Sequence, residues 1–514
     1  MEEVKFNFNQ KLKKINIEKK IILFLALIFI SALIIRFYYT PFGIPLNLDG
    51  FLGYFLYALD ISILGHLPNY TLSQSGWGEF LSIFFIFFNS DNLIDYHDLQ
   101  RTISVILSGI TVIPIYFICK KFFNNYYSLI GATIFALEPK IIMNSTLGIS
   151  EPLYILAISL GILFFLNYNK KIIYLAFGFF AWATIIRPEG QFWFLAFSIA
   201  YFIRFRKNRK DLALFFVCLV IFLLVLSPIV MHRIECCGDD AIFSRFIGEI
   251  NNNMNSPTIL VEEKEIPTYG PNFENGIKLL GWSLIPVFII FLPPGIIVII
   301  RERNYPNYLL IIVPVILSIP IFYSVSIASD TRYVYPLYPI FCIIALFGIK
   351  YIVKENKKVV GIIILIIILS SIVYLDYKKI EYVNDKEIYE ISKIIIKDVK
   401  GLNTGTEVGK YFKSSEIEKR WPITESSVRL SDSLEMNRFN IKDFNSLEEF
   451  IKFEKEEELS HIVIDKSQNM PNYFLDIFDN EHKYSYLIKE FDSHDHGYNY
   501  HVKKFKIDYD RFEK

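Results

Sequence analysis

The sequence predicts a polytopic α-helical membrane protein with about eleven transmembrane helices, followed by a small C-terminal α/β extracytoplasmic domain. Three observations predict it. Apolar residues make up 53% of the 514 and gather in runs such as IILFLALIFISALII (21–35) and IIILIIILSSIVYL (362–375). Runs of that length exceed what a strand or an ordinary core helix needs and approach the ~20 residues that cross a bilayer. Lysines and arginines collect on alternate loops, and after residue 375 the apolar runs give way to short amphipathic segments. The same arithmetic excludes an ordinary soluble enzyme, a disordered chain and a secreted disulfide scaffold. With 53 basic and 53 acidic residues the net charge is zero, so the basic surplus that phosphate-backbone binding needs is missing and no nucleic-acid partner is expected.

Residues 1–20 carry six lysines before the first apolar run, and no small-residue cleavage site follows. The run therefore reads as a retained span with a cytoplasmic N-terminus. Eleven spans are expected at about 21–38, 102–119, 124–138, 151–167, 172–187, 190–203, 211–231, 279–300, 308–328, 333–352 and 358–375. The segments on the N-terminal side hold 21 Lys and Arg, including the run RFRKNRK (204–210), against about nine on the opposite side, and 39–100 holds none. Positive residues stay inside, so this bias fixes the orientation and leaves the C-terminal tail outside a multi-pass cell-membrane protein. The short apolar stretches 51–65 and 80–88 read as helices lying on the outer surface, within an outer loop spanning 39–101. Cys119, Cys218 and Cys342 sit in apolar runs as packing residues. Adjacent Cys236 and Cys237 read as free thiols, because a vicinal disulfide is strained.

Residues 376–514 form the soluble domain. EIYEISKIIIKDV (387–399) has helical apolar spacing, SLEEF (446–450) opens with a capping box, and HIVID (461–465) and YNYHVKKFKI (498–507) read as strands. DSHDHGYNYH (492–501) carries a metal-like set of Asp and His, for which a histidine-rich turn between strands is the simpler account.

Ionisable residues are sparse and lie at span ends on the outer side: Asp49 in LNLDG, Glu138 and Glu151 in LEPKIIMNSTLGISEPLY, Arg187 and Glu189 in IIRPEG, and Arg332 with Tyr333 in SDTRYVYPLYP. Such groups are costly there unless paired, hydrated or used. An outer-loop acid suits a general base toward a hydroxyl. Arginines at neighbouring helix ends match the oxygens of a phosphate. Each residue also has a plain structural reading. Asp49-Gly50 favours a turn, Glu151-Pro152 starts a helix, and Arg332 and Lys140 suit snorkelling anchors. His232 and Arg233 read as the hydrated start of a loop.

At these residues the sequence resembles the GT-C glycosyltransferases, in particular the polyprenyl-phosphate-sugar-dependent group of protein O-mannosyltransferases and aminoarabinose transferases. The carrying features are Asp49 after the first span, LEPKIIMNSTLGISEPLYIL (137–156), RPEG (187–190) and TRYVYPLYP (331–339), across roughly residues 20–355. The resemblance implies a GT-C-like fold and an inverting transferase for a hydroxyl-bearing protein, lipid or glycan acceptor. It makes Asp49 the base on the acceptor, Glu151 and Glu138 the second-loop acids, and Arg332 with Tyr333 the late motif at the donor phosphate, with Arg187 beside it. Relatives carry a second acid beside the first-loop Asp, whereas Asn47 and Gly50 flank it here, so the need for a divalent metal stays open. No WWDYG-like sequence occurs, which argues against an oligosaccharyltransferase catalytic subunit. A transporter or flippase would place ionisable groups near span midpoints. A polymerase or ligase of lipid-linked saccharides would carry a basic outer loop, and 232–278 holds four basic residues.

Overall fold

The computed structural model describes residues 2–513 except 47–48, 71, 73, 168–169, 207–211, 241, 243–272, 325–329, 355, 404, 423–436, 440, 442–443 and 467–469. Part of the basic run 204–210 therefore lies outside the described residues, as do the side chains of the lysines before residue 18 and that of Asp49. The chain divides into two compact units. One comprises Met1–Thr40, Pro68–Leu81 and Gln100–Asp376; the other comprises Pro41–Leu67, Ser82–Leu99 and Tyr377–Lys514. Two segments of the expected outer loop thus cluster with the C-terminal residues.

The first unit is helical. Among the described residues five helices are long and apolar enough to cross a membrane: Glu18–Tyr39, Leu93–Cys119, Phe215–Cys237, Thr331–Val353 and Lys358–Ile395. A sixth arises if the pair Glu274–Leu284 and Phe288–Glu302, bent by 105°, counts as one span. Glu151–Phe165, Lys171–Ile186 and Tyr305–Pro320 are apolar but shorter. Exposed side chains such as Ile22, Leu224, Ile290 and Leu365 are apolar, as a lipid-facing surface requires. Two boundaries differ from the hydropathy reading. The helix beginning at Lys357 runs unbroken to Ile395, because neither Gly nor Pro occurs after Gly361 to stop it. The helix from Phe215 continues to Cys237 and ends at Gly238 in the left-handed conformation. His232 and Arg233 are consequently helical, and Arg233 is buried.

The second unit holds a five-stranded mixed sheet among the described residues: β1 (Gly401–Asn403), β2 (Asn437–Phe439), β3 (His461–Asp465), β4 (Leu487–Asp492) and β5 (Val502–Ile507). The order is β2-β1-β3-β5-β4, with β1 parallel to β2 and β3, and β5 antiparallel to β3 and β4. Alternation along the strands builds a core on each face. Ile462, Ile464 and Phe505 pack with Phe450 and Phe474, whereas Leu402, Val463 and Val502 pack with Ile391 and Ile395. Asn403 fastens β1 to β3: its side chain donates to the Val463 carbonyl at 2.8 Å and accepts from the Val463 amide at 2.6 Å. The Ser446 hydroxyl accepts from the Glu449 amide at 3.1 Å, as a capping box requires, but the Glu449 carboxylate reaches the Asn445 amide at 3.0 Å.

Candidate functional site

The site is built from three helix ends in the first unit. Glu151 and Pro152 open the helix Glu151–Phe165, where an acid complements the positive end of the dipole. Arg187 follows the helix Lys170–Ile186, and the turn Pro188-Glu189 leads into the helix Gly190–Phe205. That turn is tight: a Cβ on Gly190 would collide with the Thr184 backbone. Asp330 caps the 3-10 helix Thr331–Leu337, its Oδ1 accepting from the Arg332 amide at 2.9 Å.

These ends converge on one open-mouthed cleft. Arg187, Glu189, Arg332, Tyr333, Tyr154 and Trp193 are among its lining residues. Arg187 is the hub. Its Nη1 donates to Glu151 Oε1 at 2.6 Å, and its Nε and Nη2 face the Glu189 carboxylate at 3.4 and 3.3 Å. The guanidinium carbon lies 5.5 Å from the Tyr333 ring centroid and 6.0 Å from that of Tyr154, within cation–π range. Glu151 is 1% exposed and Arg187 7%, so the pair is withdrawn from water. Arg332 pairs through Nε with Asp330, and both are about a quarter exposed. Leu317, Pro320 and Pro336 supply apolar wall.

The structure therefore brings together four of the residues singled out from the sequence: Glu151, Arg187, Arg332 and Tyr333. Glu138 is not in the cleft lining; it caps the helix Pro139–Thr146, with its Oε1 3.5 Å from the Lys140 amide. Asp49 begins a π-helix, Asp49–Phe55, in the second unit. Lys140 does not snorkel: it is 7% exposed and donates to the Trp282 carbonyl. Burial pushes its ammonium pKa down while Glu138 pulls it up. Sequence reasoning passed over Asp330, whose signal was its place at the N-cap of TRYVYPL, and the helix expected at 80–88 runs from Ser75 to Phe85. That helix touches the backbone of Ile185 and Ile186 at Gly76, and its Trp77 indole donates to the Gly148 carbonyl at 3.1 Å. Arg233 holds its start, donating to Ser75 Oγ at 2.7 Å and to the Leu72 carbonyl at 3.0 Å. Burial raises the pKa of Glu79 on this helix, against the lowering effects of Ser75, Arg233 and His232.

No group of three or more His, Cys, Asp or Glu among the described residues is placed to hold a metal ion. In the histidine-rich turn, Asp492 Oδ1 instead accepts from His501 at 2.9 Å and from the His494 amide at 3.1 Å, and the His494 and His501 rings stack at 3.6 Å.

Neither a protein-family model nor a curated protein matches the chain. Solved structures do. The apo oligosaccharyltransferase of Archaeoglobus fulgidus matches with a TM-score of 0.56 at 10% identity, over 87% of this chain and 69% of that one. AglB from the same organism, in complex with an inhibitory peptide and a dolichol-phosphate, matches with 0.52 at 11% identity, over 86% and 69%. ArnT from Cupriavidus metallidurans bound to undecaprenyl phosphate matches with 0.50 at 10% identity, over 95% and 98%. The chain thus shares the fold of these proteins, which is that of the GT-C glycosyltransferases.

Proposed function

We propose that the protein is an integral-membrane inverting glycosyltransferase that moves a sugar from a polyprenyl-phosphate-linked donor to a hydroxyl on a protein, lipid or glycan acceptor at the outer face. The observation that carries this reading is the cleft itself, where Arg187 and Arg332 converge beside Tyr333. Two guanidiniums in a partly dried site are suited to a phosphate and hold it bidentately. Matching folds support it: AglB is described with a dolichol-phosphate and ArnT with undecaprenyl phosphate. The Archaeoglobus enzyme is also described with a tethered acceptor peptide, which favours a protein among the acceptor classes. Eleven crossings, a cytoplasmic N-terminus and an extracytoplasmic C-terminal domain complete the reading, on the charge bias of the loops.

On this reading Asp49 takes the proton of the acceptor hydroxyl. The acceptor oxygen attacks the anomeric carbon from the face opposite the phosphate. The bond from that carbon to the phosphate oxygen breaks, and its electron pair leaves with the lipid phosphate. Arg332 and Arg187 stabilise the charge that develops there, while Glu151 and Glu189 fix the angle of the Arg187 fork. Glu138 acts at one remove, by capping the Pro139–Thr146 helix that precedes Glu151. The test supplies purified protein in lipid with labelled polyprenyl-phosphate sugars and follows sugar transfer and released lipid phosphate. Asp49→Asn is expected to abolish turnover with expression and donor binding intact. Full activity in that variant removes Asp49 from the mechanism, and failure of every such donor to bind removes the reading as a whole.

A further inference from the structure

We propose that Gln100, together with Trp77, is a positioning residue for the cleft: the two clamp the turn that delivers Glu151, and through Glu151 they set the place of Arg187. The inference rests on the reading that Arg187 stabilises the leaving phosphate.

The turn in question runs between the helices Pro139–Thr146 and Glu151–Phe165. Gly148 within it takes a left-handed φ of 70°, which glycine adopts without steric cost. Gly148, Ile149 and Ser150 are all buried. A buried carbonyl must find donors, and its oxygen offers two lone pairs. The Gly148 carbonyl receives two: Gln100 Nε2 at 2.6 Å and Trp77 Nε1 at 3.1 Å. Both donating side chains are fully buried, so solvent is not at hand to replace either one. They also come from different elements. Gln100 lies in the helix Leu93–Ile110 and Trp77 in the helix Ser75–Phe85, 48 and 71 positions before Gly148. The turn is therefore fastened from outside, on two sides, by residues distant in the chain.

What the clamp controls is the entrance of the helix Glu151–Phe165. Ser150 stands at the N-cap but makes no side-chain capping bond, so the commonest fastening of a helix start is missing there. Pro152 stiffens the first turn, and a shift at Gly148 is passed on to Glu151 rather than absorbed. Glu151 is 1% exposed, and its Oε1 accepts from Arg187 Nη1 at 2.6 Å. The chain of contacts from Gln100 through Gly148 and Glu151 thus ends on the guanidinium that lines the cleft. A glutamine that merely filled a core position would make a different prediction: its loss would lower stability without regard to what stands at 151.

The test follows lipid-phosphate release by the full-length protein in lipid nanodiscs, with labelled undecaprenyl-phosphate hexoses as donors and rates expressed per folded protein. Gln100→Leu keeps the bulk of the side chain and removes the donor. It is expected to lower kcat about tenfold, as a small misplacement of a charge-stabilising group does, with KM for the donor within twofold. Trp77→Phe removes the longer of the two bonds and is expected to lower kcat about threefold in the same pattern. It keeps the proposal open to refutation should Gln100→Leu fail to fold. The deciding measurement is a double-mutant cycle. In a Glu151→Gln background the connection to Arg187 is already weakened, so adding Gln100→Leu or Trp77→Phe is expected to change kcat by less than twofold. Losses that multiply with that of Glu151→Gln overturn the proposal. So does an unchanged kcat in both single variants, or an effect confined to KM. Failure of the underlying reading has its own signature, an unaltered protein that releases no lipid phosphate from any donor, and it removes this proposal as well.

Discussion

Gly76→Ala tests whether the helix Ser75–Phe85 sets the geometry at Arg187. A Cβ added there would lie 2.8 Å from the Ile186 amide nitrogen and 2.9 Å from the Ile185 carbonyl carbon and Ile186 Cα. Non-bonded carbon atoms settle at about 3.5 Å or more, so the two segments must part by roughly 0.6 Å. The obstructing atoms are backbone, and no side chain can rotate out of the way. Overpacking of this kind costs about 1–3 kcal/mol, and the better helix propensity of alanine returns about 1 kcal/mol of it. The net loss of stability is therefore up to about 2 kcal/mol, and the effect on geometry is read after correction for it. Arg187 follows Ile186 directly, and the neighbouring Trp77 holds the Gly148 carbonyl, three residues before Glu151. Both members of the Arg187–Glu151 pair inherit the displacement. Since a misplacement of ~1 Å costs about a hundredfold in rate, roughly tenfold is expected here in kcat/KM. The assay is the initial rate of lipid-phosphate release against donor concentration, corrected for the folded fraction by size-exclusion chromatography. Gly281→Ala is the control, because nothing lies within 4 Å of a Cβ at that position. If Gly76→Ala stays within twofold of the unaltered protein, or falls only in step with the folded fraction, the helix does not position the site.

Arg187→Met leaves the Glu151 carboxylate, 1% exposed, without its cation, and is expected to cost about 3–5 kcal/mol; adding Glu151→Gln should recover most of it in a thermal-unfolding double-mutant cycle. Asn403→Ala strands both backbone groups of Val463 in a dry sheet, and a loss of about 2–4 kcal/mol should appear as a lower urea midpoint by pulse proteolysis within 377–514. In the same region burial pushes the His461 imidazole from an ordinary pKa of 6.5 down to about 4, helped by the nearby Lys504 charge and against the pull of Glu490. The unfolded chain then binds the proton more readily, so stability should fall as pH drops from about 6.5 toward 4. His461→Gln should flatten that part of the pH profile, and an unchanged slope would show that other groups govern it.

Asp49, Glu151, Arg187 and Arg332 drew attention because a charge at the end of an apolar run is costly unless it is used. That cost is local, so it can be read from the chain. The position of Glu138 is costly in the same way, yet one of its carboxylate oxygens serves a helix cap. Which use a costly residue finds depends on what folds against it. Asp330 gave a weaker signal, because a cap beside a motif resembles any other cap until its second oxygen is seen on Arg332. The strands β1, β2 and β4 were missed for a related reason. β1 and β2 have three residues each, too few for a period to show, and β4 exposes three consecutive residues.

By itself the sequence determined the membrane class, the long apolar helices and the strand HIVID, because hydrophobic length and period are properties of neighbours along the chain. Only the tertiary structure decided that the helix starting at Glu151, the turn after Ile186 and the cap at Asp330 meet in one cleft. It also decided that Gly76 lies against Ile186, 110 positions away in the chain, and that Arg233 is buried beside Ser75. Such contacts join residues far apart in sequence, and they form where backbones approach closely enough to exclude a side chain. Composition and periodicity carry no record of that distance.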